Sequence, residues 1–393
     1  MPLRWIAVSV FLLSSALNFL DRQLLAALAP EIKAEFQLSN EQYGYLIAAF
    51  SLTYTLSAPL MGLLIDRLGL NTGASLSVAL WSLAGMATAL ATGFRGLLAC
   101  RAALGLGEGG GIPGAGKANA LYLEPGERAL GAAFSQIGIA LGSMAAPLMA
   151  VWFSLAYGWR WAFVAAGALG FLWIPLWLYT ARRVPVRKPE PGEKHLPASA
   201  LLRDPRLWSL IAANILGMTV YTLWMNWTTL YLTDAHGMTQ EAANTRFAWI
   251  PPLFATLGGL AGGALSLRWS RRGMDLIVAR RRVYLLSAVL LLSTALAPAM
   301  PSAAWATAVI CLSFFSVVAG SVNVYALPID LFGASRAGFA VATLTAAYGL
   351  MQALLSPLFG ASIDRFGFSP VCVAVSVLPL AGCYFLRKTT SPA

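Results

Sequence analysis

Asp21 and Arg22 are neighbours inside the apolar run 5–29, and Arg101 and Glu108 share a second apolar run, 95–121. An ionisable group at the centre of a membrane helix costs about 3 to more than 10 kcal/mol, depending on method. Such groups persist where partners, a wet cavity or a task hold them. Two chemistries fit these types. An arginine presents a planar fork of donors that matches a carboxylate. A carboxyl group held between burial, which favours its neutral form, and an arginine, which favours its ionised form, can trade a proton near neutral pH. The four residues therefore read as an anion site beside a proton site. They could also be no more than an ion-pair staple.

Spacing constrains the geometry. Arg101 and Glu108 are seven positions apart, so they share one helix face about 10 Å apart along the axis. That is too far for direct contact, but they can flank one cavity. Asp21 and Arg22 point about 100° apart and cannot aim at one spot. The reading adopted is Arg22 toward a cavity and Asp21 toward Arg101 as a cross-helix ion pair. Gln136 is a further polar residue in an apolar run, and Lys117 lies near the end of run 95–121.

The elements that must position these residues are membrane helices. Of 393 residues, 58% are hydrophobic and only 11% charged. Soluble domains carry about 25% charge, so this chain is expected in a bilayer. Twelve apolar runs are expected to cross it: 5–29, 42–65, 73–92, 95–121, 128–154, 160–180, 207–233, 242–267, 283–300, 303–328, 335–361 and 368–387. The net charge of +11 is concentrated in connections such as 182–206 and 268–282. That pattern marks cytoplasmic loops and not a nucleic-acid stripe, and it predicts both termini inside. The first run resembles a signal peptide, but Asp21-Arg22 interrupts it, so it reads as a retained span.

The fold expected is an all-α membrane protein of twelve transmembrane helices in two six-helix bundles. The bundles are 1–181 and 206–393, joined by a Pro-rich charged linker at 182–205. Weak internal similarity supports the division. Ala146-Pro147-Leu148-Met149 before Tyr157-Gly158-Trp159 is echoed by Ser356-Pro357-Leu358-Phe359 before Phe366-Gly367-Phe368. The charged residues have no echo, so their work belongs to the first bundle.

Other features carry less. Gly105, Gly107, Gly109, Gly110, Gly111 and Gly114 crowd around Glu108, but no Lys-Ser/Thr follows as in a phosphate-binding loop. Close helix packing is the better account. The four cysteines lie in apolar runs without metal spacing or a disulfide framework. Trp224 and Trp227 sit near mid-span and could line a cavity or anchor the helix. Asn323 could bind sugar-like hydroxyls or bond helix to helix. His195 and His236, the two histidines, lie in loops, and no enzyme constellation accompanies them. No cofactor or metal is expected.

Several motifs then resemble the major facilitator superfamily. Gly62-Leu63-Leu64-Ile65-Asp66-Arg67-Leu68-Gly69 resembles its G-x-x-x-D-R-x-G loop, here without the usual basic pair afterwards. Within that superfamily the chain resembles the anion:cation symporter branch, which includes hexuronate, galactonate and glucarate transporters. Asn18-Phe19-Leu20-Asp21-Arg22 is similar to its N-[YF]-x-D-R motif, and 101–108 to R-x-x-L-G-x-G-E. Pro113, Lys117, Glu127-Arg128-Ala129, Gly158-Trp159-Arg160, Asn323 and Asp330 continue the pattern. The resemblance implies that Arg22 holds a substrate carboxylate, and that Asp21 and Glu108 couple protons, linked by Arg101. It implies substrate contacts at Tyr54, Gln136 and Asn323; Trp224 is added here as a cavity aromatic. Gly62, Asp66, Arg67 and Gly69 form the conformational loop.

The expected function is proton-coupled import of a small organic anion, a hexuronate or related sugar acid, by a monomer in a bacterial inner membrane. The alternatives are an exporter of a drug or metabolite, or a monocarboxylate or dicarboxylate transporter.

Overall fold

The computed structural model describes residues 3–124, 127–186 and 201–390. Most of the linker expected at 182–205, His195 included, lies outside the described residues. Among them the chain forms helices and no strand. Two compact units emerge: residues 1–191 with 238–249, and residues 192–237 with 250–393.

The first unit holds α1 (Leu3–Ala27), α2 (Ala29–Phe36), α3 (Asn40–Leu68), α4 (Leu70–Thr88), α5 (Phe94–Glu108), α6 (Gly111–Tyr122), α7 (Arg128–Ala156) and α8 (Trp159–Arg183). The second holds α9 (Pro205–His236), α10 (Pro251–Arg271), α11 (Leu276–Leu291), α12 (Ala303–Phe332), α13 (Ala334–Phe366) and α14 (Phe368–Arg387). Ten helical segments among the described residues are long and apolar enough to cross a bilayer. They correspond to ten of the twelve expected spans. The third expected span is α4, short and polar in its first turn at Asn71 and Thr72. The fourth is divided at Gly109-Gly110 into α5 and α6, with Arg95, Arg101 and Glu108 all in α5.

Local chemistry sets the boundaries. Ser39 Oγ accepts from the Gln42 amide at 3.1 Å, and Gln42 Oε1 accepts from the Ser39 amide at 3.0 Å. This reciprocal box satisfies donors that the first turn of α3 would leave open. Gly69 separates α3 from α4 at φ +80°, where a side chain would be strained. The echo seen in the sequence has a backbone counterpart. Gly158 (φ +90°) starts α8 after the Pro147 helix, and Gly367 (φ +71°) starts α14 after the Pro357 helix.

Each unit has its own core. In the first, Trp173 and Trp177 stack at 5.7 Å with Phe11 edge-on to both, and Trp173 Nε1 donates to the Val10 carbonyl at 2.7 Å. In the second, Leu207, Leu210, Val324, Leu327 and Leu344 are buried together, and the Tyr284 hydroxyl donates to the Ala213 carbonyl at 2.8 Å. Charge fastens the ends of the first unit. Arg160 and the Trp159 indole both bind Glu35, and Arg160 first among them holds this carboxyl below its usual range.

Residues 238–249 leave α9, contact the first unit, and return to α10. Asn244 Nδ2 donates to the Ala27 carbonyl at 2.9 Å, and Gln240 Nε2 to Glu31 at 3.2 Å. The expected continuous span 242–267 is therefore broken by a π-helical turn, Asn244–Ala248, before α10 begins.

Candidate functional site

The site is built on α1, α3, α4 and α5. Three glycines let α5 approach its neighbours at backbone distance. A Cβ on Gly105 would collide with Thr53 Oγ1 and the Phe50 carbonyl, and one on Gly109 with Ser57 Oγ. On Gly107 it would lie 2.6 Å from the Trp81 amide nitrogen. Serines sew the same contacts: Ser57 Oγ donates to the Gly105 carbonyl at 3.1 Å, and Ser77 Oγ to the Gly107 carbonyl at 2.6 Å. The glycine run thus serves packing, and the packing sets the depth of Glu108. Gly107→Val is expected to destabilise the fold by about 1–3 kcal/mol, because the obstacle is backbone and cannot rotate away. A lower apparent Tm in detergent checks this; an unchanged Tm contradicts it.

Glu108 is fully buried and pairs with Arg22, whose Nη2 and Nε donate to Glu108 Oε2 at 2.9 and 3.2 Å. Arg22 Nη2 also donates to Asn18 Oδ1, one turn earlier, at 3.3 Å. Three rings line the guanidinium: Phe19 at 4.5 Å, Phe50 at 4.7 Å and Tyr54 at 4.9 Å from ring centroid to Cζ. Arg101 approaches the same Phe50 ring at 4.7 Å. Cations over aromatic faces gain about 0.5–2 kcal/mol, more where water is excluded.

Asp21 turns the other way, toward α4, where it faces Gly85: a Cβ there would lie 3.6 Å from Asp21 Oδ1, an ordinary contact distance. The expected Asp21–Arg101 ion pair is not formed. Both Asp21 carboxyl oxygens, and Nε and Nη1 of Arg101, are buried without a hydrogen-bond partner. The helix rotation that buries Asp21 against α4 gives Glu108 to Arg22 instead. Asp21 still senses both Glu108 and Arg101 through space. Four ionisable groups therefore share one buried region with a single direct pair among them. That arrangement can bind an anion on the arginine and move protons among the carboxyl groups.

Of the sequence candidates, Asp21, Arg22, Tyr54, Arg101 and Glu108 come together. Gln136 is on α7 and exposed. Trp224 is 1% exposed and packs edge-on against Tyr231, so it is a core residue of the second unit rather than an open cavity aromatic. Asn323 is also 1% exposed; its Nδ2 donates to the Gly262 and Ala319 carbonyls at 3.1 and 2.9 Å. Of its two expected uses, helix-to-helix bonding is the one found. Phe50 was missed, although it lies one turn before Tyr54 and so shares its face. In the last turn of α3, where a conformational loop was expected, Lys117 of α6 binds Asp66 at 2.7 Å and the Ile65 carbonyl at 3.0 Å. Asp330 of α12 pairs with Arg280 of α11 at 2.5 Å.

The profile of the Major Facilitator Superfamily matches residues 11–343. The chain belongs to the major facilitator superfamily. As a member it is a multi-pass membrane transporter and not an enzyme. The chain is 31% identical to a hexuronate transporter of Escherichia coli K12, over 97% of this chain and 92% of that one. It is 30% identical to a galacturonate transporter of Dickeya chrysanthemi, over 74% and 89%. Among solved superfamily structures, a bacterial homologue of the human lysosomal transporter Spinster aligns with TM-score 0.79 at 20% identity, covering 99% of this chain and 98% of that one. At that identity the likeness concerns the fold.

Proposed function

We propose that the protein imports a sugar acid, a hexuronate above all, together with protons, by alternating access of two six-helix bundles. The observation that carries this reading is the pairing of half-buried Arg22 with fully buried Glu108 in a chain that aligns along 97% of its length with a hexuronate transporter. In the proposed arrangement α4 and the α5–α6 pair complete twelve crossings, the segment at 182–205 joins the bundles, and both termini face the cytoplasm of a bacterial inner membrane. The carrier works as a monomer.

Arg22 offers Glu108 the Nε–Nη2 edge, the edge that best grips a carboxylate. A substrate carboxylate taking that edge displaces Glu108. An ionised carboxylate left buried without a partner is too costly, so Glu108 takes up a proton. Asp21, beside it and without a hydrogen bond, is the second proton carrier, and Arg101 couples the two acids. Substrate binding and proton loading are thereby linked on the first unit, with Tyr54 at the arginine and Gln136 as a further substrate contact.

Uptake into proteoliposomes tests the reading. Glucuronate and galacturonate are expected to accumulate when the outside is acidic, and to equilibrate without accumulating when the gradient is collapsed. Accumulation indifferent to the gradient removes proton coupling. Preference for monocarboxylates or sulfoacetate over both hexuronates removes the substrate assignment.

A further inference from the structure

The second unit gathers basic side chains at one end in a way the transport reading does not use. The start of α9, the end of α10, the start of α11 and the ends of α12 and α14 meet there. Arg206 lies over the Phe332 ring at 5.5 Å, Arg280 pairs with Asp330, and Arg281 is close enough to Arg387 for their like charges to interact. Acids are few at this end. Asp204 is held by Arg206, Asp330 by Arg280, and Asp275 caps α11 by accepting from the Val278 amide at 3.0 Å. Arg268, Arg271, Arg272 and Arg282 are exposed, and no ion pair among the described residues engages them. At the matching end of the first unit Arg4 pairs with Glu124 and Glu127 and Lys117 with Asp66, while Arg67, Arg182 and Arg183 are exposed with no ion pair among the described residues.

Two apolar stripes run into this basic end. On α10, Leu260 (67% exposed) and Leu267 (49%) share a helical face with Arg271, and Arg268 lies on the flank of that face. On α11, Leu286 (45%) and Val289 (49%) share a face with Arg282. Each stripe is a strip of exposed hydrocarbon topped by guanidinium groups. That is the complement of a molecule with acyl chains below and an anionic headgroup above. Guanidinium groups bind phosphate oxygens through paired donors, and clustered cations beside a membrane helix attract anionic lipid.

We propose that the α10–α11 end of the second unit binds an anionic phospholipid, with the headgroup phosphate on Arg268, Arg271 and Arg282 and the acyl chains along Leu260, Leu267 and Leu286. The site is separate from the Arg22 cluster and stands or falls independently of the transport reading.

Lipid retention by the full chain tests it. The purified protein is placed in detergent micelles containing equal amounts of phosphatidylglycerol and phosphatidylcholine, and bound lipid is counted by native mass spectrometry. The wild type is expected to retain phosphatidylglycerol at least about tenfold over phosphatidylcholine, since each nearby arginine contributes roughly fivefold. The triple variant Arg268→Gln/Arg271→Gln/Arg282→Gln loses that selectivity. The corresponding triple lysine variant keeps most of it, which separates lost charge from lost folding. Arg365→Gln, at the other end of α13, leaves it unchanged. Equal retention of the two lipids by the wild type overturns the proposal, as does selectivity that survives the triple glutamine change. Displacement of the lipid by inorganic phosphate, which has no acyl chains, also overturns it.

Discussion

Replacing Arg22 with glutamine is expected to abolish the proposed hexuronate uptake, a loss of about 100-fold or more. Two charge-assisted hydrogen bonds to a carboxylate, at about 1.5–3 kcal/mol each, account for that size. Arg22→Lys is the sharper variant. It keeps the positive charge but replaces the planar fork with a single ammonium, so apparent affinity is expected to fall about tenfold while some transport remains. The three rings around the guanidinium add to the loss, because a stacked arginine is not matched by lysine. The measurement is initial uptake rate against substrate concentration in proteoliposomes. A lysine variant with wild-type KM means that charge alone suffices and removes the clamp. Arg22→Gln also strands Glu108, so Arg22→Gln/Glu108→Gln serves as the control: it is expected to fold and still not to transport.

The second large effect is a split between exchange and accumulation. Glu108→Gln keeps the shape of the side chain and an oxygen that can accept from Arg22, but it cannot carry a proton. Substrate exchange across the bilayer is expected to stay within about threefold of wild type, since a neutral partner still yields the arginine to an incoming carboxylate. Accumulation driven by a pH gradient is lost, and exchange loses its pH dependence. Counterflow and gradient-driven uptake on the same vesicles measure the two. Full accumulation in Glu108→Gln removes Glu108 from the proton path and leaves it to Asp21, which Asp21→Asn then tests. The buried position of Glu108 makes the expected effect large, because an unpaired carboxylate there has no water to carry its charge.

Much of this was legible before any coordinates. The charged residues in apolar runs marked the site, because the cost of burying charge makes each one conspicuous. The glycines around Glu108 marked a close helix contact, and α5 indeed meets α3 and α4 through them. The echo of Pro147-to-Gly158 in Pro357-to-Gly367 returned as two glycines that both take a positive φ. Less legible were the breaks. Division of the fourth apolar run at Gly109-Gly110, and the π-helical turn at Asn244–Ala248, depend on contacts that apolar content does not report. Hydropathy averages over a window and cannot see where one turn yields to a neighbour.

The amino-acid sequence by itself determined the class of protein, its family and four ionisable residues that the fold gathers into one region, since each follows from composition or motif. Only the tertiary structure decided who pairs with whom. Adjacent residues on a helix diverge by about 100°, so whether Arg22 or Asp21 meets Glu108 depends on how α1 is rotated. That rotation sets Asp21 against α4 at Gly85 on one side and Arg22 against the rings of Phe50 and Tyr54 on the other. The same freedom turned Asn323 and Trp224 into the core of the second unit. A residue's type says what it can bond; the packing around its helix says which bond it makes.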